Sequence, residues 1–177
     1  MDIISQNIHI DTVFSQYKTA LDKQYTAYQN HVYRVFNLTL QEGNFTADET
    51  DAIAIAAAFH DIGIWTAHTF DYLKPSVALA KQYALQNNKT GDIQLITDLI
   101  NNHHKLTAYK QNKAVEAFRR ADLIDLSLYL FTFRIKRREL KELNKAFPFE
   151  GFHRYIFGQI FKNIIRHPLN PLPIVKI

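Results

Sequence analysis

Ala52-Ile53-Ala54-Ile55-Ala56-Ala57-Ala58-Phe59-His60-Asp61-Ile62-Gly63 is a run of small and apolar residues that stops at a histidine and an aspartate, with a glycine close behind. Alanine is the strongest helix former, so the run predicts a helix, and a helix with almost no polar surface must be buried nearly all round. Just upstream, Thr46-Ala47-Asp48-Glu49 has the form of a capping box, with Thr46 as N-cap and Glu49 three residues on. The helix is therefore expected over about residues 47 to 60, and its end carries His60 and Asp61 into the interior. A carboxylate there is costly unless it is paired, hydrogen-bonded or bound to a metal. Neighbouring residues project about 100° apart on a helix, so the pair reaches one ion only off the helix end, where Gly63 is expected to loosen the geometry.

Helical periodicity runs outward on both sides. Upstream, Val13, Phe14, Tyr17, Leu21, Tyr25 and Tyr28 recur at three- and four-residue steps and predict a helix from Asp11, its N-cap, to Gln29. A second helix, from Asn30 or His31 to near Gly43, places His31 on its apolar side with Val32, Val35, Phe36 and Leu38. Downstream, residues 64–74 read as a loop containing His68 and Lys74, and Pro75 opens a helix to about Asn87. Asp92 to Lys105 is amphipathic, and His103 and His104 extend its stripe. From Lys113 to about Phe131 the apolar side is interrupted by Asp122 and Asp125. Lys136 to Ala146 and Phe149 to Ile165 complete the helices, the last with Phe152, Ile156, Ile160 and Ile164 at four-residue spacing. His167 to Pro173 is an extended, non-helical tail. No strand alternation is present. The reading is all-α and a single domain over residues 1–177, with a core at 25–130 and basic, aromatic C-terminal helices and a Pro-rich tail at 131–177.

Composition narrows the chemistry. There is no cysteine among the 177 residues, which removes disulfides, thiolate ligands and cysteine nucleophiles. No secretory leader and no membrane span are evident, so a cytoplasmic protein is expected. Residues 1–126 hold 11 Lys and Arg against 14 Asp and Glu, whereas residues 127–177 hold 10 against 3. The basic third reads first as a solvated helix face and tail rather than a nucleic-acid surface. The aromatic C-terminal helix suits core or a contact between copies of the chain.

His31, His60, Asp61 and Asp122 each put a metal-ligating group on the apolar side of a predicted helix. Imidazole with carboxylate suits Mn, Fe, Co, Ni or Zn better than Ca. The order of the pieces, Asn30-His31-Val32-Tyr33-Arg34-Val35, Ala57-Ala58-Phe59-His60-Asp61-Ile62-Gly63, Ile100-Asn101-Asn102-His103-His104 and Arg120-Ala121-Asp122-Leu123-Ile124-Asp125, resembles the HD-domain superfamily of metal-dependent phosphohydrolases over roughly residues 25–130. The resemblance implies an all-α helical bundle and hydrolysis of a phosphate ester, often a nucleotide. It also implies His31, His60, Asp61 and Asp122 as ligands of one divalent ion (Mn, Fe, Co, Ni, Zn or Mg). Two departures favour one ion over two. Dinuclear members carry a further histidine where this chain has Pro75-Ser76, and the lysine after the His-Asp segment of the cyclic-dinucleotide branch is Ile64 here. His68, or His103 with His104, remains able to complete a second site.

The expected mechanism is attack of a metal-activated water on a small phosphorylated substrate. Asp61 anchors the ion, and His68, His103 and His104 are candidates to donate to the leaving oxygen or hold phosphate. Arg34, three residues after His31, and Arg119, three before Asp122, are candidate phosphate clamps with Lys74. Two other readings stand beside this one. The first is a non-catalytic metal- or nucleotide-binding module. The second, less favoured, is a di-iron oxygenase or cyclic-nucleotide phosphodiesterase.

Overall fold

The computed structural model describes residues 2–69, 71–168 and 174–175. Among these residues there are helices and no strands, as the periodicity predicts. The elements are α1 (Ile8–Gln16), α2 (Lys18–Leu21), α3 (Tyr25–Gln41), α4 (Ala47–Phe59), α5 (Gly63–Thr66), α6 (Leu73–Gln86), α7 (Ile93–Asn102), α8 (Lys113–Leu126), α9 (Arg137–Ala146) and α10 (Phe152–Arg166). Short 3-10 turns at Asp22–Gln24 and Thr90–Asp92 precede α3 and α7. No described helix is long and apolar enough to cross a membrane.

The alanine-rich α4 is the central element. Every residue from Ala52 to Phe59 is buried, and α1, α3, α6, α7 and α8 all pack on it. Its small side chains let those neighbours approach closely. The capping box forms as the sequence predicts. Thr46 Oγ1 accepts from the Glu49 amide at 3.2 Å, and a Glu49 carboxylate oxygen accepts from the Thr46 amide at 2.8 Å.

The single helix expected from Asp11 to Gln29 is broken. Asn7, not Asp11, caps α1, its side chain accepting from the His9 and Ile10 amides. Asp22 then turns the chain with φ +45° before α3 begins at Tyr25, five residues earlier than expected. A side-chain stripe carries little information about a backbone break beneath it, because residues on both sides face the same core. The segment after Asp61 holds the short α5 where a loop is expected. α6 starts at Leu73, with Pro75 inside its first turn, where a missing amide costs nothing. In α10, Phe152 and Ile156 are buried, Ile160 is partly so, and Ile164 is 42 % exposed, so the expected stripe is core only at its start. Residues 169–173 of the expected tail lie outside the described residues. Ile174 and Val175 pack back onto the core.

Gly63 has a different task from the one expected of it. It is helical, and a Cβ there would lie 2.6 Å from the Tyr72 carbonyl oxygen and 3.0 Å from Ser76 Oγ. Its amide donates to the buried Ser76 Oγ at 3.0 Å. Gly63 is thus a close approach that docks the start of α6 beside His60-Asp61. Gly63→Ala is expected to cost about 1–3 kcal/mol, since backbone must move to relieve the overlap. Urea unfolding at neutral pH measures it, and an unchanged midpoint would contradict the docking role.

Candidate metal centre

Four helix ends and faces converge on one buried point. His31 comes from the middle of α3, His60 and Asp61 from the turn just beyond α4, His103 and His104 from the turn just beyond α7, and Asp122 from α8. The end of α4 places its pair as the buried-charge argument requires, with the shared point off the helix terminus. Three overlapping groups have ligand atoms close enough to hold an ion: His31, His60 and Asp122; His60, Asp61 and His103; and His103, His104 and Asp122.

The expected ligands His31, His60, Asp61 and Asp122 form a tight set. His31 Nε2 lies 3.0 Å from His60 Nε2, 3.8 Å from Asp61 Oδ2 and 3.6 Å from Asp122 Oδ1. His60 Nε2 lies 3.4 Å from Asp61 Oδ2 and 3.8 Å from Asp122 Oδ1. An ion with bonds of about 2.0–2.2 Å and tetrahedral geometry has ligand–ligand edges of about 3.4 Å, the scale of these separations; His31, His60 and Asp122 form one such group, and Asp61 belongs to the adjoining one with His60 and His103.

Proton placement makes the case sharper. His31 Nδ1 is 2.7 Å from an Asp125 carboxylate oxygen and His60 Nδ1 is 2.7 Å from the Ala57 carbonyl, so both Nδ1 atoms donate. Each Nε2 is then a bare lone pair unless the ring is charged. Burial, reinforced by His103 and His31 and opposed by Asp61, holds the His60 pKa down to about 3. The two Nε2 atoms therefore face each other at 3.0 Å without a proton from His60 to share. His103 likewise has Nδ1 on the Ile100 carbonyl at 2.6 Å, but its Nε2 lies 3.5 Å from Asp61 Oδ1, and against the effect of burial Asp61 and Asp122 raise its pKa. Asp61 Oδ1, His103 Nε2 and Asp122 Oδ1 are buried and lack a hydrogen-bond partner. Such orphans are rare in folded proteins and point to a missing partner; here Asp61 Oδ1 and His103 Nε2 face each other at 3.5 Å, and Asp122 Oδ1 lies beside the Nε2 atoms of His31 and His60.

The carboxylates show the same imbalance. Burial pushes the Asp122 carboxyl up to about 7; Asp61 and Asp125 add to that, and His103 and His31 oppose it. For Asp61, burial is outweighed by His60, His103 and His104, which leave it below the usual carboxylate range. Two carboxylates in one dry pocket resist sharing the charged state, and a divalent cation removes the conflict. The donor set fits such an ion.

Asp125, which is not among the expected ligands, holds the site together. It is fully buried, accepts from His31 and takes a two-pronged bond from Arg34, Nε to Oδ1 at 2.5 Å and Nη2 to Oδ2 at 2.9 Å. Metal-ligating histidines commonly have their second nitrogen fixed in this way. Its position three residues after Asp122, on the same face of α8, was the available signal. Phe152 of α10 stacks on the His31 ring at 4.0 Å, and His153 Nε2 sits 2.8 Å from the Asp125 carbonyl. Tyr28 Oη donates to the Ala58 carbonyl and accepts from the Asp61 amide.

The expected phosphate clamps are not free to clamp. Besides binding Asp125, Arg34 donates from Nη1 to the carbonyls of Phe147 and Pro148, and it has no exposed surface. Arg119 binds both oxygens of Glu116, at 2.8 Å each, and the Lys105 carbonyl at 3.1 Å. It thereby ties down the turn that carries His103-His104. Spacing puts an arginine on the right helix face but does not reveal which acid will take it.

Burial opposes ionisation of Glu116, but Arg119, the Tyr109 amide and Arg120 outweigh it and pull its pKa down to about 2. A carboxylate held low contributes stability above its unfolded pKa, about 4.3, and loses it as pH falls through the folded one. Wild type is therefore expected to lose on the order of 2 kcal/mol more than Glu116→Gln between pH 6 and pH 2. Parallel loss in urea titrations of the two proteins would contradict this.

Lys74 is exposed on α6, and His68 is exposed at φ +50°; neither joins the cluster. His68 instead lines an outer cavity of about 520 Å³ with Lys162, Arg166 and His167. A smaller cavity, about 160 Å³, adjoins the cluster at Asp61, Tyr72 and His104. There Tyr72 Oη and His104 Nε2 lie 2.8 Å apart, and His104 Nδ1 is 3.4 Å from Asp122 Oδ2.

No family model, no curated protein and no solved structure matches the chain.

Proposed function

We propose that the protein is a metal-dependent hydrolase of a small phosphate ester, of the HD-domain kind that its ordered His, His-Asp and Asp motifs resemble. The observation that carries this reading is the pair of imidazole Nε2 atoms of His31 and His60, 3.0 Å apart, with the orphaned Asp122 Oδ1 beside them and Asp61 between them and a cavity. In this reading His31, His60, Asp61 and Asp122 hold one divalent ion. A bound divalent ion supplies Lewis-acid polarisation of a phosphoryl oxygen and a water acidified toward neutrality.

The chain's own residues do the rest. Asp125, clamped by Arg34, fixes the His31 tautomer so that Nε2 faces the centre. Helix α10 covers one side and keeps bulk water from the ligands. His104 and Tyr72, hydrogen-bonded to each other at the cavity end of the cluster, supply a proton to the leaving oxygen. The ester P–O bond breaks with its electrons on that oxygen, the water oxygen forms the new P–O bond, and the proton the water gives up restores the Tyr72–His104 pair. Neither Arg34 nor Arg119 lines the cavity, so offsetting the charge of the phosphoryl group would fall to the ion that His31, His60, Asp61 and Asp122 would hold.

A two-ion reading has its own support in His103 Nε2 and Asp61 Oδ1, both orphaned. Metal analysis of the purified protein, followed by assay of the loaded protein on an aryl phosphate and a phosphate-monoester panel, tests the proposal. About one equivalent of metal with turnover supports it. Two equivalents move the assignment to a dinuclear centre, and stoichiometric metal without turnover of any phosphoester sinks the hydrolase.

A further inference from the structure

The 160 Å³ cavity is polar at one end only. Asp61, Tyr72 and His104 stand where it meets the cluster, and the remaining wall is aliphatic and aromatic, chiefly Ile64, Leu126, Ile156 and Ile160. Ile174 and Val175 also line it, with Ile174 only 5 % exposed. Among the described residues, no lysine, arginine, asparagine, glutamine, serine or threonine side chain lines it. A ribose or a base inside would leave its hydroxyls or ring nitrogens without partners, and an unpaired polar group is what a site rejects most strongly. Size points the same way. The volume equals roughly five water-sized groups, whereas sites for drug-sized ligands run to about 300–1,000 Å³.

We infer that the group next to the reacting phosphoryl is a short, slim apolar chain of about five carbons, so that the substrate is an alkyl-type phosphate monoester in place of a nucleotide. The inference rests on the hydrolase reading for its phosphoryl end and on the cavity for its apolar end. Ile174 is the specificity-determining wall. It is a buried lining residue, so trimming its side chain enlarges the room for the chain.

Non-hydrolysable n-alkylphosphonates separate the two ends. Calorimetric titration of the metal-loaded protein with the methyl to octyl series is expected to show affinity rising about three- to fourfold per methylene, the value of burying one CH₂. The rise should level off near five carbons, and a nucleoside 5′-monophosphate should bind no better than methylphosphonate. Ile174→Ala should move the plateau to longer chains. Ile160→Asp, at a partly exposed position that leaves folding intact, should flatten the series.

A flat wild-type series, or a nucleotide binding as tightly as pentylphosphonate, overturns the inference even if phosphoesters are hydrolysed. A rising series with no turnover of pentyl phosphate supports the cavity's preference and sinks the hydrolase reading alone. No affinity for any phosphonate overturns both.

Discussion

Asp61→Ala is expected to lose both the ion and the activity, the largest effect of any single substitution in this protein. Asp61 offers one carboxylate oxygen within 3.4 Å of His60 Nε2 and the other within 3.5 Å of His103 Nε2. It therefore faces the centre from two sides. Removing a residue that only orients a ligand costs about 10–100-fold in metal affinity, so removing this carboxylate should cost at least about 100-fold. Without the ion, the transition state loses several kcal/mol of charge stabilisation, and a rate loss of about 1,000-fold or more is expected. Asp61→Asn separates charge from shape, because it keeps the volume and one acceptor. It should lose metal nearly as completely. Metal addition should raise the melting temperature of wild type and leave both variants unmoved, since only a ligand that binds the folded state stabilises it.

Arg34→Ala is expected to unfold the protein rather than to weaken substrate binding. The spacing of Arg34 from His31 suggests a phosphate clamp; the structure gives it a buried carboxylate instead. Breaking a fully buried pair by removing one partner leaves an uncompensated charge and costs about 3–5 kcal/mol, a large part of a domain's total stability. Asp125, held below the usual carboxylate range by Arg34 and His31 against the effect of burial, would be that charge. Two carbonyls, of Phe147 and Pro148, would also lose their donor. Urea unfolding should show the loss, and Arg34→Met combined with Asp125→Leu should restore much of it, because an apolar replacement of both partners removes the stranded charge. The double variant would still lack the acceptor on His31 Nδ1, so its metal affinity should remain lowered. Full stability in Arg34→Ala would return the arginine to the role its spacing suggests.

These two sites show what was legible in the sequence. The buried α4, its capping box and the placement of His60-Asp61 beyond its end follow from composition and local chemistry, which act over a few residues. His31 and Asp122 were findable because a ligand on an apolar stripe is anomalous. The arginines were misplaced because spacing along a helix fixes a face, not a partner; Lys74 and His68 came from a stretch read as loop, whose path no periodicity describes. The partner of Arg34 lies 91 residues away. Asp125 was passed over for the same reason, since its importance depends on α3 and α8 lying side by side. Gly63 was read from helix geometry, as loosening the end of α4, and Ser76 through the resemblance, as the place of a missing ligand. In the fold they meet each other and dock α6. The cover supplied by Phe152 could not be read from a helical spacing that describes core and surface alike.

The central claim is that His31, His60, Asp61 and Asp122 together hold one divalent cation. Its most direct test is calorimetric titration of chelator-stripped protein with Mn²⁺, Co²⁺ and Zn²⁺, beside the Asp61→Ala variant. The expected result is saturation at about one ion per chain in wild type and no saturable binding in the variant. Absence of binding by wild type, or unchanged binding by the variant, would contradict the account.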